Sequence, residues 1–414
     1  MSGRAGLIGM PTVWEDVPES LRCDIDIVAD AALTEDPQAL MLSWLAHERR
    51  PLAYTPHNGG HWLIFSHALA HTVLCDAQRF GSFPIGVPAN YQQRPRLIPL
   101  ESGPDEHRRY RRLLIPVFQP NVIKTMEAGV RAQACAVLDA VMHNDQIDFL
   151  SDIAKPIPTR VFAEQMGLES SMLPQFYAWE TGFYRAPTLE ERLACGQQIA
   201  LHLQQVVDQH QQQPGAGDIV DLLLAAEVDG ERLSAEEVQG IAYLLFLAGI
   251  DTVASMLSFT VLHLARNPNQ YAQLHQNPEA ISDSVDEFLR LNAFISLNRI
   301  CEQDIELEDV LIKAGDNVVI PSTMTSRDPQ VFGTPDTFNP DRSRGEQNRH
   351  HAFGAGAHKC IGLHLAKLEV RVVLEEFCRR ASSVSLSSDR KIKGHGGTTM
   401  GLDALPVDIK WTTQ

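Results

Sequence analysis

From Ser234 to Ala265 the chain carries about 32 residues whose apolar side chains fall on every face of a helix, stopped by Asn267-Pro268. At about 1.5 Å per residue such a helix is roughly 48 Å long, enough to cross a whole globular molecule. A helix that is apolar all round has to be buried, so the rest of the chain is expected to fold around it. Its middle nevertheless carries Gly249, Asp251 and Thr252. Polar groups in such a place require a partner or a task. Its unbroken apolar run, Ile241 to Ile250, ends at Asp251. That is well short of the roughly 18 to 20 residues that span a bilayer, so no membrane segment is expected.

The surroundings suit a helical domain. Apolar residues recur at three and four in Pro104 to Val117, Asn121 to Val141, Thr188 to Gln211, Asn269 to His275, Pro278 to Leu291 and Gly362 to Arg380. Strand signals are few. Leu52 to Tyr54 and His61 to Phe65 read as a hairpin, and Ile305 to Leu307, Val310 to Lys313 and Val318 to Pro321 as a small sheet around Gly315-Asp316. No repeat or linker divides the 414 residues, which predicts a single mainly α domain over 1–414 with small peripheral β-sheets. About the first 20 residues read as a poorly packed extension without the apolar core of a signal peptide, and a cytoplasmic protein is expected. The net charge of −17 repels a phosphate backbone, so nucleic acid is not an expected partner. Seven scattered cysteines with no C-x-x-C pair exclude a disulfide framework or a zinc ribbon.

One cysteine is set apart. Phe353-Gly354-Ala355-Gly356-Ala357-His358-Lys359-Cys360-Ile361-Gly362 precedes the helical run Leu363 to Arg380. Unpaired N–H groups and the positive dipole end favour a thiolate at a helix start. Gly354 and Gly356 allow positive φ and close approach to a flat macrocycle, and Phe353 can shield the sulfur. Such a thiolate suits a proximal haem ligand. A bare Cys-x-Gly is far more often a structural cysteine beside a turn. The full pattern F-x-x-G-x-x-x-C-x-G, however, is expected about 0.001 times by chance in a chain of this composition.

This loop resembles that of the cytochrome P-450 haem-thiolate monooxygenases, and the likeness extends along the chain. Glu287-Phe288-Leu289-Arg290 is similar to the family's E-x-x-R, able to lock with Arg342 of Phe338-Asn339-Pro340-Asp341-Arg342 in a structural cluster. His107 to Arg111 resembles H-x-x-x-R, with both side chains on one helix face and in reach of a haem propionate. Arg299 and His358 match the family's other propionate positions. Ala248-Gly249-Ile250-Asp251-Thr252 is similar to A-G-x-D-T. There Thr252 can bond the carbonyl of Ala248 and open a groove beside Gly249 for dioxygen, while Asp251 and Thr252 relay protons. The resemblance implies haem b held by Cys360, with His107, Arg111, Ala248, Gly249, Arg299, Phe353, Gly354, His358 and Gly362 around it.

It also implies a small apolar substrate, terpenoid in size and hydroxylated at a C–H bond, as in the camphor-hydroxylating branch. The family's pocket regions here offer Phe83, Ile85, Val87, Tyr91 and Leu97, then Phe176, Trp179, Phe183 and Tyr184, then Leu244 and Leu245 beside Ala248. Phe294, Ile295 and Leu297 follow, with Thr398, Thr399 and Met400 closing the set. Arg94 or Arg96, turned inward, would instead suit an aromatic or fatty carboxylic acid. A non-catalytic haem sensor or carrier is a third reading, against which the Asp251 and Thr252 pair speaks. Electrons are expected from a separate iron-sulfur ferredoxin with an NAD(P)H-dependent reductase. Its docking face on a monomer would be formed by Arg108, Arg109, Arg112 and Lys359.

Overall fold

The computed structural model describes residues 11–48, 50–87, 94–186, 188–215, 217–228, 230–342 and 344–412. Their contacts divide the chain into two compact units, each assembled from separated stretches of sequence.

The first unit comprises Met1–Asn90, Ser282–Cys360 and Ser388–Leu405. Its centre is a five-stranded sheet with strands in the order Leu52–Thr55, His61–Ile64, Asn317–Pro321, Ser296–Cys301 and Phe80–Gly81. The hairpin expected from Leu52 and His61 is present, with Leu52 opposite Ile64 and Thr55 opposite His61. The second expected sheet is not. Ile305–Leu307 pairs only with Val310–Ile312, turning through Glu308 and Asp309 at positive φ, whereas Asn317–Pro321 lies between the first hairpin and Ser296–Cys301. The turn at Gly315-Asp316 therefore serves a longer-range purpose. The Asp316 carboxylate accepts from the Thr12 N–H at 2.6 Å, the Thr12 hydroxyl at 2.7 Å and the Trp62 indole at 2.9 Å. Thr12 and Val17 are buried, while most of the other residues from 11 to 20 are exposed.

Of the buried imidazoles in this unit, burial lowers the pKa of His61 to about 4 and of His351 to about 3. A histidine with a depressed folded pKa contributes its full stability above the unfolded value near 6.5, and that stability is lost as the pH falls toward the folded value. At about 1.4 kcal/mol per pKa unit, His61 alone withdraws up to about 3 kcal/mol by pH 4. Urea midpoints should therefore drop from pH 7 to pH 4. His61→Gln should flatten part of that slope, and a slope identical to wild type would exclude His61 as a source.

The second unit comprises Tyr91–Ile281, Ile361–Ser387 and Pro406–Gln414. The long helix is Ala235–Arg266, within one residue of its expected bounds. Its start is fixed by a capping box in which Ser234 and Glu237 each bond the other's backbone N–H, and Asn267 ends it. Length and composition alone would let this helix cross a membrane, but 72% of its apolar window is buried inside the fold, as suits a core helix. Around it lie helices Glu127–Val141, Pro156–Gln165, Leu189–Gln212 and Leu363–Arg380, with a three-stranded sheet of Ala381–Leu386, Pro406–Trp411 and Gln146–Asp148. The expected helix from Asn121 is broken at Met126, and the one from Pro104 ends at Leu114 in a 3-10 turn.

Candidate functional site

The cysteine loop belongs to the first unit. Gly354 and Gly356 both adopt positive φ, +66° and +68°. At Gly356 the need for glycine is double, because a Cβ there would lie 2.4 Å from the Leu74 carbonyl oxygen. The loop closes through the Cys360 N–H, which donates to the Phe353 carbonyl at 2.9 Å. Cys360 itself is exposed. It precedes the helix by three residues, with Gly362 as the N-cap, so the thiol lies just ahead of the first turn and not within it. Leu297 packs on Gly354, and Ser82 bonds the His358 imidazole at 3.2 Å.

Three of the expected pocket segments converge in the same unit. The Val87 N–H donates to the Thr398 hydroxyl at 3.0 Å, and the Gly86 N–H to the Asn298 side chain at 2.9 Å. Ile295 bridges Thr399, the Ser296 N–H reaches the Thr398 carbonyl at 2.8 Å, and Met400 bonds Phe294 at 3.2 Å. Phe83 is exposed, Ile85 half-buried and Phe294 buried. Tyr91 lies outside the described residues. Arg299 is 3% exposed, its Nε has no partner among the described residues, and burial alone pushes its pKa down to about 10. A cation buried without an acid beside it is costly and calls for an anion.

Behind these segments, Glu287 receives two bonds of 2.8 Å from Arg290 and one of 3.1 Å from Arg342, with Glu287 and Arg290 wholly buried. The two arginines spend their other N–H groups on the carbonyls of Ser326, Gly333, Thr334, Pro335 and Thr337. The cluster is structural, as the E-x-x-R motif suggested.

In the second unit the long helix is buried at every residue from Ile241 to Leu262 except Leu244, Ala248, Gly249 and Thr252. Leu244, Ala248 and Thr252 share one face at spacings of four and eight, and Ala248 is exposed. Thr252 donates to the Ala248 carbonyl at 2.7 Å, as expected. A Cβ at Gly249 would meet the Phe162 ring at 2.6 Å, so this glycine lets helix Pro156–Gln165 approach.

Asp251 is 2% exposed and receives Arg185 at 2.9 Å. Arg185 also reaches Glu180 at 3.4 Å, and Lys155 lies 3.6 Å from the same carboxylate. The sequence reading missed Lys155, Glu180 and Arg185. The only available signal was a pair of charges, Glu180 within the aromatic segment Phe176 to Tyr184 and Arg185 directly after it. Burial, then the charges of Asp251 and Glu180, hold the Tyr184 hydroxyl well above its ordinary range. Phe176 is fully buried against Phe246 and His202 and fills core, while Phe183 stacks edge-on to Tyr184, Leu245 is buried and Leu97 is buried beside Glu101.

On helix Pro104–Leu114, His107 is buried and Arg111 half-buried, one turn apart on one face. Arg108 and Arg112 are exposed, as is Lys359 in the first unit. Arg109 is not the free cation expected of a docking face. It pairs with Glu237 at 2.9 Å and lies over Tyr110, whose hydroxyl takes the same carboxylate at 2.8 Å.

A family model described as "Cytochrome P450" matches residues 141–396, more than half of the chain. The chain belongs to the cytochrome P450 family. It is 30% identical over 357 residues to "Probable cytochrome P450 127A1" of Sinorhizobium fredii, covering 85% of each chain. It is 30% identical to "Vitamin D3 dihydroxylase" of Streptomyces griseolus, covering 84% of this chain and 87% of that one. Among solved structures it is similar to CYP101J2, with a TM-score of 0.86 and 29% identity over 98% of this chain and all of the other.

The mainly α P450 architecture expected from the sequence is thus present, and the protein is a P450 monooxygenase, an oxidoreductase. Proteins of the family bind haem b through a cysteine thiolate. The residues here fit that group: an exposed thiol in a glycine loop, a buried arginine awaiting an anion, and a core helix open along one apolar strip.

Proposed function

We propose that this P450 hydroxylates a small apolar, terpenoid-sized molecule in the cytoplasm, as a monomer and a single catalytic domain, with electrons from a ferredoxin and its NAD(P)H-dependent reductase. Cys360 is the thiolate that would hold the haem, with Phe353, Gly354 and Gly362 shaping its loop. His107, Arg111, Arg299 and His358 take the propionates. Haem b held by a thiolate supplies the activation of dioxygen and the insertion of one of its oxygen atoms.

The observation that carries the reading is the strip of Leu244, Ala248 and Thr252 with Asp251 buried behind it. A ligand-binding haem protein without turnover has no use for an acid next to an alcohol on an otherwise apolar helix. Thr252, its hydroxyl hydrogen spent on Ala248, presents its oxygen lone pairs to the open side and can orient the hydrogen of a water there. Asp251 passes the proton along this line, and the apolar residues around it keep bulk water away.

Apolar side chains dominate the assigned pocket, Phe83, Ile85, Val87, Phe183, Leu244, Phe294, Ile295 and Leu297 among them, so burial supplies affinity at about 25 cal/mol per Å². Thr398 and Thr399 are its polar edge. The vitamin D3 named for one relative is likewise a largely apolar molecule. A carboxylic acid substrate is disfavoured because both candidate arginines are already engaged. Arg94 is buried in a two-bond pair with Glu101 at 2.9 and 2.7 Å, and Arg96 holds Glu106 at 2.8 and 2.6 Å. For the ferredoxin, the positive groups are Arg108, Arg109 and Arg112 in the second unit, of which Arg108 pairs with Asp105 at 3.5 Å and Arg109 with Glu237 at 2.9 Å, and Lys359 in the first.

The test is a titration of the ferric protein with monoterpenoids, norisoprenoids, aromatic acids and fatty acids, following the high-spin shift of the Soret band. A shift with the neutral terpenoids is expected. A shift with carboxylates alone would overturn the substrate class.

A further inference from the structure

Behind the open strip of the central helix lie two carboxyl groups, whereas the A-G-x-D-T motif provides one. Glu180, on helix Leu173–Arg185, is fully buried, and its carboxyl is within side-chain hydrogen-bonding reach of Asp251. Arg185 sits across the pair unequally, at 2.9 Å from Asp251 and 3.4 Å from Glu180. Lys155 is no closer to Glu180, at 3.6 Å. Two buried carboxyls in contact cannot both carry full charge unless cations compensate each of them. Here the short guanidinium contact goes to Asp251, which leaves Glu180 as the member that keeps the proton.

A route leads outward from Glu180. The Thr181 hydroxyl lies 3.3 Å from Glu180 Oε2, and the Lys155 ammonium lies 3.2 Å from the Thr181 hydroxyl. Lys155 is 15% exposed by its side chain and stands at the edge of solvent.

We propose that Glu180 is the proton-holding partner of Asp251, resupplied from solvent through Lys155 and the Thr181 hydroxyl. The inference rests on the reading of Asp251 and Thr252 as the relay. The O–H bond of Glu180 breaks as its proton moves to the Asp251 carboxylate, and Asp251 then gives that proton up toward Thr252. Thr181 then passes its hydroxyl proton to the Glu180 carboxylate while accepting one from the Lys155 ammonium, and the resulting amine takes a proton from water. One proton enters for each one that leaves, and no electrons move. Glu180 touches neither substrate nor cofactor and is a positioning residue that acts through Asp251.

The groups facing Glu180 come from three elements: Lys155 ahead of helix Pro156–Gln165, Thr181, Tyr184 and Arg185 on its own helix, and Asp251 on the central helix, with Tyr243 beyond Tyr184. Burial first, then the charge of Asp251, raises the Glu180 pKa to about 7, and Lys155 and Arg185 only partly offset this. The acid form that feeds Asp251 is therefore present below pH 7 and lost above it.

Infrared titration of the ferric holoenzyme should show a protonated carboxyl band that disappears with a midpoint near 7, persists in Asp251→Asn and is absent in Glu180→Gln. Turnover of a terpenoid that gives the high-spin shift should fall about tenfold from pH 6 to pH 8 in wild type and stay flat in Glu180→Gln. A band and pH profile unchanged in Glu180→Gln, while Asp251→Asn is slow, would overturn the role of Glu180 alone. Wild-type turnover in Asp251→Asn would instead overturn the relay reading beneath it. If Glu180→Gln does not fold, Thr181→Val cuts the route with little change of shape. A severalfold loss of turnover at pH 8 supports the route, and an unchanged rate rejects it.

Discussion

Replacing Thr252 by Ala is expected to leave NAD(P)H oxidation near its wild-type rate while most of the electrons emerge as hydrogen peroxide instead of product. The hydroxyl is tied to the Ala248 carbonyl at 2.7 Å, on the only face of the central helix left open between Ile241 and Leu262. Removing it takes away the group that orients the proton, not the one that stores it. Electrons would still be consumed, but no hydroxyl would orient the proton beside Ala248. Asp251→Asn should act differently. Asparagine can still accept from Arg185 but has no proton to pass, so turnover itself should fall by about 10²-fold. Measuring NAD(P)H consumed, peroxide released and product formed on one sample separates the two effects. Unchanged coupling in both variants would remove the acid-alcohol pair from the mechanism.

Glu287→Gln is expected to be the most damaging change away from the relay. It leaves the guanidinium groups of Arg290 and Arg342 buried against a neutral amide, where before they shared one carboxylate. Breaking a buried pair by deleting one charge costs about 3–5 kcal/mol, because the remaining charge is uncompensated. That is a large share of the roughly 5–15 kcal/mol that holds a typical domain together. The expected outcome is a lowered urea midpoint and a poor yield of haem-loaded protein. A wild-type midpoint would show that the carbonyls of Gly333, Thr334, Pro335 and Thr337 suffice for the two arginines.

Features written in local sequence were readable. The central helix starts and stops within one residue of expectation because Ser234 with Glu237, and Asn267-Pro268, are signals carried by neighbours in the chain. The glycine loop, the Thr252 back-bond and the Glu287 triad were readable for the same reason: each is a short motif with a fixed spacing. Features that depend on distant partners were not. Asn317–Pro321 follows a turn that looks like a hairpin, yet it pairs with His61–Ile64 and Ser296–Cys301, and no local cue distinguishes the two outcomes. The packing of Gly249 against Phe162, far away in sequence, has no local cue either. Arg109 looked like a free surface cation until Glu237 and Tyr110 closed on it. The pairing of Asp251 with Arg185, and through it Glu180, spans 66 residues with no spacing rule to reveal it.

The central claim is that Cys360 holds the haem, and the spectrum of the reduced protein under carbon monoxide tests it most directly. Cys360 is the only one of the seven cysteines in the glycine loop; Cys301 and Cys378 are buried and their pKa values are raised by burial. The wild-type protein, and variants with any other cysteine replaced by Ala, should show the red-shifted Soret band of a thiolate-ligated ferrous carbonyl. Cys360→His should lose that band, and a Cys360→His protein that keeps it would contradict the account.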